Sequence, residues 1–277
     1  MPLVLTPRAD PAGPAAIDVA GILPHVVTGR ALADIRRLPV QADGRPCELG
    51  HLFDVAGDAT DGRLECRGDF SRIHRVGAGL ESGRIDVSGD VGRHAAERMS
   101  GGTLHVGGSA GDWLAAELSG GEVLVAGNAG DNAVAALAGS DLGMRGGLVI
   151  VGGNAGCLAG ARMRRGVLAV GGDCGEAAAF EMRAGTVVIG GRVGWRSGMG
   201  MRRGSVISLA QRVDVPPNFR RGAAWRPAFL PLLLRRLLQA GFRPAATLHS
   251  GPWQQWHGDG LAGGRGELFH PAAGLGA

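Results

Sequence analysis

Residues 147–203 decide the fold. They read GLVIVGGNAGCLAGARMRR (147–165), GVLAVGGDCGEAAAFEMRA (166–184) and GTVVIGGRVGWRSGMGMRR (185–203). Each stretch opens on a glycine, alternates apolar residues, turns at a second glycine cluster and closes near a methionine and arginines. The period is 19 residues, and self-similarity at a fixed period is the mark of a stacked repeat. Followed toward both termini, the opening glycine recurs at Gly62, Gly83, Gly102, Gly121, Gly147, Gly166, Gly185 and Gly204. The steps are 21, 19, 19, 26, 19, 19 and 19, so one coil carries two extra residues and another carries seven. The larger insertion falls within residues 131–146.

Other columns keep the same phase. G-x-x-G turns stand at Gly89/Gly92, Gly108/Gly111, Gly127/Gly130, Gly153/Gly156, Gly172/Gly175 and Gly191/Gly194. Four residues on come Ala96, Ala115, Gly160, Ala179 and Gly198, with Val134 as the exception in the coil that holds the insertion. Positions of this kind need either a positive φ or close approach by the next backbone. Two residues after the anchor glycine stand Leu64, Ile85, Leu104, Val123, Val149, Leu168, Val187 and Val206. Four after it stand Cys66, Val87, Val106, Val125, Val151, Val170, Ile189 and Ser208. A period of two puts both columns on one face of a strand. A further apolar ladder, Met99, Leu118, Met144, Met163, Met182 and Met201, precedes the anchors by three residues. The pattern predicts an all-β chain, a right-handed parallel β-helix of eight 19-residue coils over residues 62–209.

A stack of coils needs capping at its ends. Residues 1–61 are expected to form the N-terminal cap. Residues 210–277 form a C-terminal part, with a short amphipathic helix over 228–240 stopped by Gly241, followed by an extension.

Composition bounds the function. Of 277 residues 51 are glycine, but without a three-residue period, so collagen is excluded. The net charge of +4 hints at an acidic partner. No lysine occurs, which removes P-loop, Schiff-base and Ser-Lys chemistry. Cys47, Cys66, Cys157 and Cys174 form no C-x-x-C pair and read as buried or free thiols in a reducing compartment. No apolar run reaches the ~18 residues of a membrane span, and the start lacks the order of a signal peptide. A cytoplasmic protein is expected. The eight histidines form no HxH, HExxH or HxxxH pair, and no G-x-S-x-G occurs. No catalytic or metal-binding residue is expected. GGNAG and GGDCG recur in phase with the coils and read as coil corners, with Cys174 a turn thiol.

Two features rise above a plain scaffold. Arg145, Arg164, Arg183 and Arg202 stand two residues before successive anchors, with Arg165 and Arg203 beside them. Equal phases stack, so this ladder sets like charges about one strand spacing apart unless water, counterions or carboxylates compensate. Either it is a solvated edge or one covered by the chain's own acids, or it contacts an acidic partner. The second feature is the outward strand position, which changes from Glu65, Asp86 and His105 to Leu124, Ile150, Ala169, Val188 and Ile207. So long an apolar stripe is expected to be covered, either by the 228–240 helix or by another protein.

Glycine-rich coils of this period resemble the β-helical domain shared by glutamate synthase large subunits and the family of formylmethanofuran dehydrogenase C subunits. ALADIRRLPV (31–40), LGHLFDVAG (49–57) and HGDGLAGGRGEL (257–268) resemble the flanks of the latter. Arg265 replaces the lysine of the family's terminal GD…GGKGE segment, and His51 stands where an acidic residue is expected. The resemblance implies a non-catalytic scaffold subunit of a cytosolic C1-transfer complex, which converts formyl-tetrahydromethanopterin to formate through a methanofuran- or methylofuran-like carrier. Implied partners are an amidohydrolase-like A subunit, a B subunit and a formyltransferase D subunit, and the arginine edge would meet the carrier's polyglutamate tail. Composition tilts the assignment toward the formyltransferase/hydrolase complex of methylotrophic bacteria. The other family setting is a molybdenum or tungsten formylmethanofuran dehydrogenase. Two readings from other classes are weaker. A hexapeptide acyltransferase does not fit a 19-residue coil, and a nucleic-acid-binding protein rests on basicity alone.

Overall fold

Alternating apolar residues after each anchor glycine build eight parallel strands, from Arg63–Cys66 to Gly204–Ser208. In the computed structural model, which describes residues 1–8, 13–210, 213–244 and 248–272, these strands stack in strict phase. Leu64 lies beside Ile85, Val123 beside Val149 and Leu168 beside Val187. The seven-residue insertion is therefore looped out without disturbing register. The chain is a parallel β-helix. Its inward columns, including the Met/Leu ladder, are fully or almost fully buried and form one continuous core.

A second column, Phe70, Val91, Ala110, Ala129, Ala155, Cys174 and Val193, is joined by single parallel bridges from coil to coil. Cys174 is thus an inward-facing rung of this column, and burial pushes its thiol up to about 12. The four cysteines are free. Beside this column runs a polar ladder. Side-chain oxygens of Asp90, Ser109, Asn128, Asn154 and Asp173 each accept the backbone N–H of the equivalent residue one coil on, at 2.7–3.1 Å. Each bond satisfies a backbone donor at a corner, so the glycines beside it are crowded by backbone and by these side chains.

The third side of each coil is neither strand nor ordinary turn. Residues 11, 13 and 15 after Gly83, Gly102, Gly147, Gly166 and Gly185 take positive φ, as in His94, Ala96 and Arg98, or Trp113, Ala115 and Glu117. Their N–H groups bond alternately forward and backward: His94 to Asp112, Ala96 to Val76, Arg98 to Ala116. A left-handed conformation costs roughly 1–2 kcal/mol per non-glycine residue, and here it lets one short segment bond to both neighbouring coils. Val134, a β-branched residue at φ 55°, accepts the same geometry with its side chain wholly buried.

The parallel ladder runs past both ends of the repeat. Leu3–Pro7 pairs in parallel with Arg63–Cys66 and is closed off by antiparallel Phe53–Ala56. A small sheet of Arg45–Glu48, Pro39–Ala42, Ile17–Asp18 and Ile73–His74 covers another side of this end. At the far end Gly266–Pro271 pairs in parallel with Gly204–Ser208, and antiparallel Trp253–Gly258 and Arg220–Trp225 follow it outward.

The helix spans Phe229–Gln239 and is stopped at Gly241, where φ is +100°. The Phe242 N–H returns to the Leu237 carbonyl and the Gly241 N–H to that of Leu238, the pattern of a Schellman motif. Leu230, Leu234, Leu237 and Phe242 pack on Ile150, Ala169, Val188, Ile207 and Phe269. The apolar stripe is therefore covered from within the chain. As an outside interface, the stripe is corrected at Ile150, Val188 and Ile207, each at most 3% exposed. Leu124, one rung beyond, stays half-buried.

Candidate functional site: an arginine-lined groove

The anchor glycines place the site. Gly185 has φ +108° and Gly204 +97°, so the chain doubles back tightly before each strand, and the residues just ahead of the anchors stand along one edge. Arg164, Arg165, Arg183, Arg202 and Arg203 line this edge. Facing them is the loop Ala262–Arg265, which adds a sixth guanidinium, Arg265, and small walls from Ala262 and Gly263. Together they enclose a depression of about 850 Å³. Arg183 is half-buried and the other five arginines are exposed.

No carboxylate neutralises the groove among the described residues. Ion pairs within 4.0 Å are made by other arginines, such as Arg162 with Glu181, Arg98 with Glu117 and Arg192 with Asp173. Arg98–Glu117 and Arg162–Glu181 lie on a column of alternating charge. Burial would raise the Glu117 carboxyl, but hydrogen bonds from Ser140, Arg98 and the Leu137 N–H bring it below its usual value. The groove column has no such alternation. At one-rung spacing two guanidiniums repel by roughly 1 kcal/mol in water, and more in a less polar setting. A multivalent anion would relieve this repulsion at several rungs at once.

A second depression, of about 430 Å³, is lined by Gly121, Glu122, Gly147 and Gly166 and by Leu233, Arg236 and Leu237 of the helix, so that one carboxylate stands beside Arg236 there. Arg145 is exposed but does not line the groove. Among the described residues that line the groove none is aromatic.

No family model matches the chain. Its sequence is 36% identical over 80 residues to the C subunit of the formyltransferase/hydrolase complex Fhc of Methylorubrum extorquens, covering 29% of this chain and 30% of that relative. It is also 36% identical over 93 residues to the C subunit of the molybdenum-containing formylmethanofuran dehydrogenase 1 of Methanothermobacter marburgensis, covering 33% and 23%. These alignments thus span less than a third of either relative. The structural likeness is far more extensive. A chain of the X-ray structure of the formyltransferase/hydrolase complex FhcABCD from Methylorubrum extorquens, in complex with methylofuran, superposes with a TM-score of 0.88 at 36% identity. The match covers 98% of this chain and 100% of that one. The chain belongs to the family of formylmethanofuran dehydrogenase C subunits.

In this C subunit the terminal HGDGLAGGRGEL segment has a clear structural task. The Asp259 carboxylate is buried and accepts the N–H groups of Gly200 and Leu261 at 2.8 Å, while the Asp259 N–H bonds to the Met201 carbonyl. The segment is thereby tied to the last coil, and its loop becomes the outer wall of the groove. Gly266 pairs with Gly204, so it is one further anchor glycine. Sequence spacing could not reveal this, because 62 residues separate the two. Arg265 stands out in the sequence only as a motif residue, and its place in that motif is the one available signal for its role.

His51 is exposed and lies 4.0 Å from Glu48. The outward polar rungs form their own network, in which Arg84 and Arg63 hold Asp86 and Arg84 also meets His105 at 2.9 Å. Among the described residues no group of three or more His, Cys, Asp and Glu side chains converges as a metal site. Among the described residues no helix is long and apolar enough to cross a membrane.

Proposed function

We propose that this chain is the non-catalytic β-helical subunit of a cytoplasmic formyltransferase/hydrolase-type complex, and that its arginine groove holds the acidic tail of a methylofuran-like carrier. The near-complete superposition on a chain of the methylofuran-bound complex carries the first half. It favours assembly with A, B and D subunits over the setting of a molybdenum or tungsten dehydrogenase. The second half rests on six arginines that line one depression with no carboxylate within 4.0 Å among the described residues. A chain of repeated carboxylates matches a column of repeated guanidiniums rung by rung, with bidentate pairs available at each. The scaffold's contribution is geometric: stacked coils hold their faces in place while catalysis proceeds on partner subunits.

The test is a charge reversal, Arg164→Glu with Arg183→Glu, in the co-expressed complex. The expected result is an intact complex that retains at least about tenfold less carrier, with the salt sensitivity of retention reduced. Loss of assembly would instead make the groove a contact with an acidic partner protein. Unchanged assembly together with unchanged carrier retention would sink the proposal.

A further inference from the structure

The outermost strand at the C-terminal end, Arg220–Trp225, is an open sheet edge. It pairs with Trp253–Gly258 on one side, and among the described residues no strand lies on the other. Five of its six residues are exposed, with Gly222 the exception. Its attachment is reinforced on the inner side. Arg221 Nε donates to the Gln254 carboxamide oxygen, Gln254 Nε2 donates to the Gly222 carbonyl, and Trp225 Nε1 donates to Gln255. The strand is therefore held in place with its outer row of backbone groups facing outward.

We propose that this edge receives an extended acidic strand from a partner subunit, which adds to the sheet by backbone hydrogen bonding. Three observations select that occupant. Arg220, Arg221 and Arg226 put three positive charges and no carboxylate on seven consecutive residues. Pairing with a second copy would gather at least four guanidiniums on one ribbon with nothing to neutralise them, whereas an acidic strand neutralises them directly. Prolines bound the footprint, with Pro217 before the strand and Pro227 after it, which limits the added strand to about six residues, or ~20 Å. Trp225, 43% exposed at the end away from the paired arginines, supplies an apolar anchor of the kind that fixes register in strand addition. The irregularity between Arg221 and Ala224, like the arginines, blunts the edge against indiscriminate pairing.

This inference rests on the chain working within a hetero-oligomer, and its test separates the two. Amide hydrogen exchange is measured on the isolated chain and on the intact purified complex. Slowing of the amides in 220–225 by about tenfold or more in the complex is expected. A photo-crosslinking residue placed at Ala223 should then join this strand to a carboxylate-rich peptide of another subunit. If the complex assembles but these amides exchange as in the isolated chain, the edge is unpaired and the inference is overturned. A crosslink to a second copy of this chain would also overturn it. Absence of any complex would instead remove the functional reading beneath it.

Discussion

At the scale of single residues, the positions carrying the fold differ in how openly they declare themselves. Anchor glycines and inward valines announce the coil because side-chain size and period alone define them. The left-handed positions do not: His94, Trp113, Arg98, Glu117 and Leu158 occupy them with ordinary side chains. Their conformation is imposed by bonds to coils on both sides, which no local propensity records. His270 is another residue whose role depends on context. Its Nε2 accepts from Trp256 Nε1 at 3.1 Å, so its Nδ1 carries the proton and donates to the Pro271 carbonyl at 2.8 Å. Burial holds its pKa below the ordinary value; the Pro271 hydrogen bond opposes this, and Arg221 adds to the lowering. The neutral form therefore stabilises the fold above the unfolded pKa of about 6.5, and this contribution is lost as pH falls through the lower folded value. The melting temperature should drop between pH 7.5 and 5, and His270→Gln should flatten that part of the profile. An identical pH profile for the variant would contradict this.

Among the elements, the helix Phe229–Gln239 shows how far a pattern can be followed. The sequence displays both an apolar stripe in need of cover and an amphipathic segment able to supply it, but not their pairing. That pairing depends on how residues 210–228 route the chain, a non-local matter. With the helix seated, Leu237 is 1% exposed while Leu232 on the opposite face is 70% exposed. Leu237→Ala should cost about 2–4 kcal/mol, since the cavity lies between the helix and a flat sheet face that cannot collapse into it. Leu232→Ala should stay within roughly 0.5 kcal/mol. Denaturant midpoints of the two variants decide the point, and equal losses would mean the helix is not seated as described. The groove is legible to a similar degree. Five of its six arginines lie on or beside the ladder, whereas the wall that turns an exposed edge into a depression comes from a loop beyond the period.

Across the whole molecule, both terminal segments join the ladder although neither shows the repeat. Leu3–Pro7 and Gly266–Pro271 each pair in parallel with the nearest coil strand, so the prism is longer than its periodic stretch. Its contacts are chiefly between neighbouring coils, and stability should accumulate coil by coil. The strict phase of the rungs also makes the molecule a ruler with discrete graduations. Residues 102–120 form one full period, from Gly102 to the residue before Gly121. Excising them should join matching phases and leave every remaining column continuous, at the loss of the Arg98–Glu117 and Arg93–Asp112 pairs and of the contact between Arg84 and His105. The shortened chain is expected to fold with lower stability and to measure ~5 Å less along its axis by small-angle scattering. A chain that fails to fold after this excision would show that the coils are not interchangeable. Length in such a scaffold is inherited in whole steps, so a partner gripping one end tolerates a lost coil, while a pair gripping both ends is displaced by one full graduation.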